Sequence, residues 1–147
     1  MQSPVIRPVI LMVDDDAEDI YLTKRAFCKH RENLVFVSVQ TGADMFDFLR
    51  CSGKFSENTE KTVPNIILLD VNIPKENGFE VLEKLRADKE LGHLPVCMLT
   101  TSAAPHDVQK AYRLGANSYV RKSVSAAEMK KIAENFCTYW FDFVSLP

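Results

Sequence analysis

Ile66-Ile67-Leu68-Leu69-Asp70 is the stretch that decides the fold. Four consecutive apolar residues, two of them β-branched, read as a strand buried on both faces. The run stops at a carboxylate, which belongs at the rim of a sheet and not inside it. Val71 to Gly78 follows as a loop punctuated by Pro74 and by Asn77-Gly78. Phe79 to Arg86 then has helical spacing, with Val81, Leu82 and Leu85 on one face. Strand, acid, tight loop and helix in succession is the layout of an active-site edge in an α/β protein. Alone, Asp70 would read as a turn residue, because Asp is common at strand ends. The other strands change that reading, because they end in the same way.

Val9 to Val13 is a second fully apolar strand, and it ends on Asp14-Asp15-Asp16. Adjacent carboxylates repel one another and need an offset. Asp16, Glu18 and Asp19 fit an N-cap and acidic first turn of a helix running to about Arg31, whereas Asp14 and Asp15 would gain more from a bound cation. Leu34 to Val39 is the next strand, and Gly42 opens a helix with Ala43, Phe46 and Leu49 expected inward. Cys51 to Val63, including Gly53, Ser56, Asn58 and Thr59, reads as a solvated surface connector. Pro95 to Leu99 forms a fourth strand that ends on Thr100-Thr101-Ser102. Pro105 to Leu114 is a short helix closed by Gly115, and Ser118 to Arg121 is a fifth strand ending on Lys122. Ser125 caps a last helix, with Glu128 in capping-box position.

Strand and helix alternate five times, which predicts a doubly wound α/β fold, a parallel sheet covered on both faces, over residues 8–147, with 1–7 as a short tail. The 147 residues suffice for one domain and are too few for two ordinary ones. A net charge of -2 gives no basic face for nucleic acid. No apolar run reaches the roughly 20 residues of a membrane span, and the start lacks a signal-peptide core. Four widely spaced cysteines, three in apolar surroundings, point to reduced packing residues and a cytoplasmic setting.

Four strands thus end in residues suited to one reaction: Asp14-Asp15, Asp70, Thr100 and Lys122. All C-terminal ends of a parallel sheet lie on one side, and ligands bind where the strand order reverses. In the flavodoxin-like order 2-1-3-4-5 that reversal falls between the strands carrying Asp14-Asp15 and Asp70. Carboxylates without His or Cys neighbours favour a hard ion such as Mg²⁺. An Asp can become an aspartyl phosphate, and phosphoryl transfer needs charge neutralisation more than acid–base chemistry. Mg²⁺ and Lys122 supply that neutralisation, and Thr100 can hydrogen-bond a phosphoryl oxygen.

With these residues in place, the chain resembles the response-regulator receiver domains of two-component signalling. The matching stretches are VILMVDDD (9–16), IILLDVNIPKENGFEVL (66–82), PVCMLTTS (95–102) and GANSYVRKS (115–123), in family order and spacing. LTTS, NSYVRKS and the aromatic end ENFCTYWF resemble the small stand-alone regulators paired with bacterial phytochrome-type kinases. The resemblance implies a (βα)5 receiver fold and a single-domain regulator without an output domain. It implies that Asp70 accepts a phosphoryl group from a sensor histidine kinase or phosphotransfer protein. Asp15 would be the direct Mg²⁺ ligand, Asp14 its partner through water, and the Asn72 backbone carbonyl would complete the metal site. Thr100 and Lys122 would contact the phosphoryl group, and Tyr119 would be the aromatic switch residue. Two positions depart from the pattern. Ser123 stands where Pro usually follows the lysine, and a cis bond there would cost about 2.5–4 kcal/mol without proline. Thr101 is bulkier than the small residue often found beside the switch threonine, and would narrow access to the phosphoryl group.

The expected function is a signalling switch with at most self-phosphorylation and autodephosphorylation activity. An aspartyl-phosphate phosphatase of the haloacid-dehalogenase type needs a second Asp where this chain has Asn72, which cannot act as general acid. A flavin phosphate would be repelled by the DDD run, and a pseudo-receiver interaction module would not need the complete acid set. The last helix predicts a homodimer. Met129, Ile132, Ala133, Phe136, Trp140 and Phe143 follow one face toward the sheet, leaving Cys137, Tyr139, Phe141 and Val144 to meet another chain.

Overall fold

Apolar runs too short for helices and free of interior charge become strands, and the amphipathic stretches between them become their crossovers. The computed structural model describes residues 7–57 and 62–147. Strands β1 (Val9–Val13), β2 (Val35–Val39), β3 (Ile66–Leu69), β4 (Val96–Thr100) and β5 (Ser118–Arg121) pair in parallel, in the order β2-β1-β3-β4-β5. Helices α1 (Ala17–His30), α2 (Gly42–Arg50), α3 (Gly78–Ala87), α4 (Pro105–Arg113) and α5 (Ala126–Cys137) connect and follow them. This is the doubly wound, flavodoxin-like receiver fold expected.

The period-2 alternation of each strand divides the core into two layers. Ile10, Met12, Ile66 and Leu68 pack with Phe27 of α1 and Phe136 of α5. Leu11, Val13, Ile67 and Leu69 pack with Met45 of α2 and Leu82 of α3. The Phe27 and Phe136 rings meet edge to face with centroids 5.2 Å apart, a favoured aromatic geometry. The caps expected at Asp16 and Ser125 form, and Asn77, read only as a loop residue, caps α3 as well. Asp16 accepts from the Glu18 and Asp19 amides, Asn77 from Glu80 and Ser125 from Glu128.

Several expectations are corrected. In α2 the buried face is Gly42, Met45 and Phe48, while Ala43 is exposed and Phe46 and Leu49 are only partly buried. The helix is rolled onto its glycine. A Cβ on Gly42 would lie 2.5 Å from a Val81 methyl, so the bare backbone is what lets α2 sit against α3. At the C-terminal end, Cys137 is fully buried, Phe141 is half-buried against Phe136, and Phe143 is 79% exposed. Thr138–Phe143 winds as a π-helix, and the Val144 amide reaches back to the Tyr139 carbonyl. The wider turn shifts the phase of the apolar face, so Phe143 swings outward. Arg31 clamps this segment with two bonds to Asp142, at 3.0 and 2.8 Å.

The connector after α2 is not wholly solvated. A 3₁₀ turn, Gly53–Phe55, brings Phe55 edge-on against Phe48. Asn58 and Thr59 lie outside the described residues, as does the expected tail except Arg7. The capping box at α5 closes indirectly. The Glu128 carboxylate accepts from the Ser123 hydroxyl, which in turn accepts from the Ser125 amide. No peptide bond among the described residues is cis, so Lys122-Ser123 is trans.

Arg86, at the end of α3, is a further organiser. It donates to the carbonyls of Gly115, Gly92 and Leu94 and to Asn117 Oδ1, which also accepts from the Val96 amide. Burial pushes the guanidinium below its usual pKa. Arg86→Met would take this partner from the Gly115, Gly92 and Leu94 carbonyls and leave Asn117 Oδ1 with the Val96 amide alone. It is expected to lower the unfolding free energy by about 3 kcal/mol, read by urea denaturation against wild type; a loss within experimental error would show that water replaces the guanidinium.

Candidate functional site

The parallel ladder runs one residue past three of the strands. The Asp14 amide donates to Val39, the Asp70 amide to Val13 and the Lys122 amide to the Thr100 carbonyl, at 3.0, 3.1 and 2.7 Å. Sheet hydrogen bonding therefore fixes the backbones that carry the candidate residues, and all lie on the C-terminal edge of the sheet. The loop after Asp70 closes tightly over it. The Gly78 amide bonds the Val71 carbonyl at 2.7 Å, and a Cβ on Gly78 would fall 2.1 Å from the Asp70 carbonyl oxygen. Only glycine permits that approach.

The side chains converge on one ammonium. Lys122 Nζ donates to Asp14 Oδ2 at 2.5 Å, Asp70 Oδ2 at 2.8 Å and Asp19 Oδ2 at 2.8 Å. The lysine side chain is 5% exposed, and Asp14 is fully buried. Burial acts to lower the Lys122 pKa, but the three carboxylates override it and hold the pKa above the ordinary lysine value. The lysine is therefore charged at neutral pH. One ammonium against three contacting carboxylates leaves the cluster net negative.

Thr100, the last residue of β4, is fully buried, and its Oγ1 accepts from the Ser102 amide at 3.4 Å. The half-buried Tyr119 donates its hydroxyl to the Ser102 carbonyl at 2.8 Å. Burial raises the tyrosine pKa above its usual value, and the nearby charges of Asp107 and Asp70 add to that rise. The Ser102 hydroxyl donates to Asp107 of α4 at 2.6 Å. Asp15 is exposed beside the cluster and does not touch Lys122; Asn72 is exposed, and its amide approaches Asp70 Oδ1 at 3.4 Å. Thr101 is exposed.

The sequence pattern of the response regulator receiver domain matches residues 10–134. The chain belongs to the response regulator receiver domain family. Response regulator Rcp1 of Synechocystis sp. is 33% identical over 95% of this chain and 92% of its own length. Among solved structures, the phosphorylated cyanobacterial phytochrome response regulator RcpA superposes with a TM-score of 0.87 at 30% identity, covering 97% of this chain and 99% of its own. The Mn²⁺-bound form of Rcp1 gives 0.83 at 31% identity, covering 95% and 99%. This receiver is therefore a response regulator of two-component signalling, and phosphorylation and divalent-metal binding are typical of its family. Receivers interact in general with histidine kinases or phosphotransfer proteins. Among the described residues no helix is long and apolar enough to cross a membrane.

Two residues of this receiver's site were missed by sequence reasoning. Asp19 reads as a first-turn acid, and helical spacing alone does not say that its carboxylate turns back toward the sheet. Ser102 was visible only as part of LTTS, and its role comes from Tyr119, seventeen residues away.

Burial is the largest influence on Asp14 and raises its pKa above 3.8, although the hydrogen bonds from Lys122 and the Asp16 amide pull it back. The native state thus binds this proton more tightly than the unfolded chain. Ionised Asp14 therefore opposes folding at neutral pH, and that opposition fades as pH falls through the folded pKa. Asp14→Asn is expected to raise the metal-free stability at neutral pH, with the gain disappearing toward about pH 4. Urea unfolding of both proteins in chelator across that range checks the sign, and a variant less stable at neutral pH would reverse it.

Proposed function

We propose that Asp70 accepts a phosphoryl group from a sensor histidine kinase or phosphotransfer protein, and that the phosphorylated receiver signals by conformational change and protein contact. The observation that supports this most is the Lys122 ammonium bonded to Asp70 and Asp14 at once, on the C-terminal edge of a parallel sheet. An Asp70 oxygen attacks phosphorus and forms the new O–P bond. The P–N bond to the donor histidine breaks, and its electron pair leaves with the imidazole. Lys122 offsets the negative charge gathering on the phosphoryl oxygens, and the buried Thr100 hydroxyl offers them a donor.

Asp14, Asp15, Asp70 and the Asn72 backbone carbonyl are the groups that would hold Mg²⁺. The donor set is entirely oxygen and the cluster retains excess negative charge, which suits a hard divalent ion. When bound, the ion supplies charge neutralisation at the transferred group. The Mn²⁺-bound form of Rcp1, a related chain, supports a divalent ion here. The four free cysteines, two of them buried, support a reducing, cytoplasmic setting.

Thr100 and Tyr119 form the proposed switch, joined through Ser102. The C-terminal segment supports a homodimer, since Tyr139 and Phe143 are 54% and 79% exposed on it. Phe141 is half-buried against Phe136 of its own protomer and offers less of that surface.

Incubation with acetyl phosphate and Mg²⁺ followed by intact mass tests the acceptor. Wild type should gain one phosphoryl group, Asp70→Asn none, and Asp15→Asn should lose the Mg²⁺ dependence. Equal labelling of wild type and Asp70→Asn would overturn the assignment.

Sedimentation tests the dimer. A Tyr139→Glu, Phe143→Glu double variant should remain monomeric where wild type self-associates, with or without beryllofluoride. A wild type that stays monomeric in both states would remove the proposal.

A further inference from the structure

Asp19 comes to the lysine from a different direction than the other acids. Asp14, Asp70 and Lys122 extend from strand ends, whereas Asp19 reaches in from the first turn of α1. Its position is held by a closed hydrogen-bond ring. The Asp16 amide donates to Asp14 Oδ1 at 2.9 Å, and Asp16 Oδ1 accepts from the Asp19 amide at 3.1 Å. Asp19 Oδ2 then meets Lys122 Nζ, which returns to Asp14 Oδ2.

An ammonium has three N–H donors and no acceptor. Here each donor has one carboxylate, and the side chain is too buried for water to take a spare one. Two acceptors would leave one N–H unpaired in a buried site and the head able to tilt toward Asp14. The third acceptor holds the head from the α1 side, and with Asp14 and Asp19 engaged the third N–H has to point at Asp70.

We propose that Asp19 is a positioning residue for phosphoryl transfer, acting as the α1-borne acceptor that aims the Lys122 ammonium at Asp70. This rests on the reading of Asp70 as phosphoacceptor. Asp19 touches neither the phosphoryl group nor the reacting oxygen; it acts through the lysine. With acetyl phosphate as donor, the Asp70 oxygen forms its bond to phosphorus as the bond to the acetate oxygen breaks, and acetate leaves with the electron pair. The contribution of Asp19 is to keep a positive hydrogen-bond donor directed at that centre.

The test is the initial rate of labelling by acetyl phosphate at saturating Mg²⁺, read by intact mass, so that changes in metal affinity do not enter. Asp19→Ala should slow labelling by about tenfold, the scale of a misaimed charged group. Asp19→Asn keeps an oxygen acceptor and should stay within about threefold of wild type. In a Lys122→Ala background, Asp19→Ala should have no further effect, because there is no ammonium left to aim. A purely structural role would instead give multiplying losses that follow the melting temperature. Should Asp19→Ala fail to fold, Asp19→Leu, similar in size and without an acceptor, provides the same comparison. The inference is overturned if Asp19→Ala labels as fast as wild type, if Asn is as slow as Ala, or if the two losses multiply. A wild type that takes no label would instead refute the acceptor reading, and this inference with it.

Discussion

One buried ammonium holds the functional edge of this receiver together. Lys122, after β5, reaches Asp14 after β1, Asp70 after β3 and Asp19 on α1, so four chain segments meet at a single atom. Such a cluster is a poor source of stability. Removing several charges from water costs more than isolated pairing returns, and here the acids outnumber the base. The raised pKa of Asp14 is the local sign of that imbalance. Stability has to come from the two apolar layers, whose central strands β1, β3 and β4 are buried throughout. The core carries the site, and the site keeps an excess of negative charge that a cation can use.

Backbone geometry carries the lysine and its partners to that point. Each of β1, β3 and β5 hands its ladder on to one further residue, and those residues are Asp14, Asp70 and Lys122. The hydrogen-bonding backbone is thus as constrained as a sheet interior while the side chains stand at the rim. Gly78 completes the frame by letting the loop fold against the Asp70 carbonyl. The trans peptide after Lys122 shows that this chain shapes the β5–α5 turn without proline. The Ser123 hydroxyl ties the turn to α5 through Glu128 and the Ser125 amide.

Much of this was legible in the sequence for a physical reason. A parallel sheet buried on both faces demands uninterrupted apolar strands, so a charge can only appear where a strand stops. Asp14 and Asp70 declared themselves in that way, whereas Lys122 follows the half-exposed edge strand β5, and the strand order came with the resemblance to receiver domains. What stayed hidden depended on tertiary phase. Glycine has no hydropathy signal that would announce Gly42 as a contact face, and a single π-turn moved Phe143 from the predicted core to solvent. Asp19 was hidden because one residue does two things. It sits in the favourable first turn of a helix, which explains it completely on the sequence, and it also closes the cluster around Lys122.

The strengths of the contacts around Asp70 indicate where a conformational change would begin. A phosphoryl group brings up to two negative charges and three strong acceptor oxygens. Lys122 already spends its three N–H groups on contacts of 2.5 to 2.8 Å, so it can only exchange one acceptor for another. Thr100 differs. Its Oγ1 is held by one long contact, 3.4 Å from the Ser102 amide, in which it is the acceptor, so its hydroxyl proton is available to a new oxygen. Thr100 is therefore the side chain that moves at least cost. Its partner Ser102 is the residue whose carbonyl holds the Tyr119 hydroxyl and whose own hydroxyl holds Asp107 of α4. In the proposed switch, drawing Thr100 toward Asp70 would remove the Ser102 amide's partner and loosen the segment that anchors the tyrosine. A ligand shifts an equilibrium only through contacts that differ between its two states. In the proposed switch the Thr100 hydroxyl would supply that difference, with Ser102 as the joint toward β5 and α4.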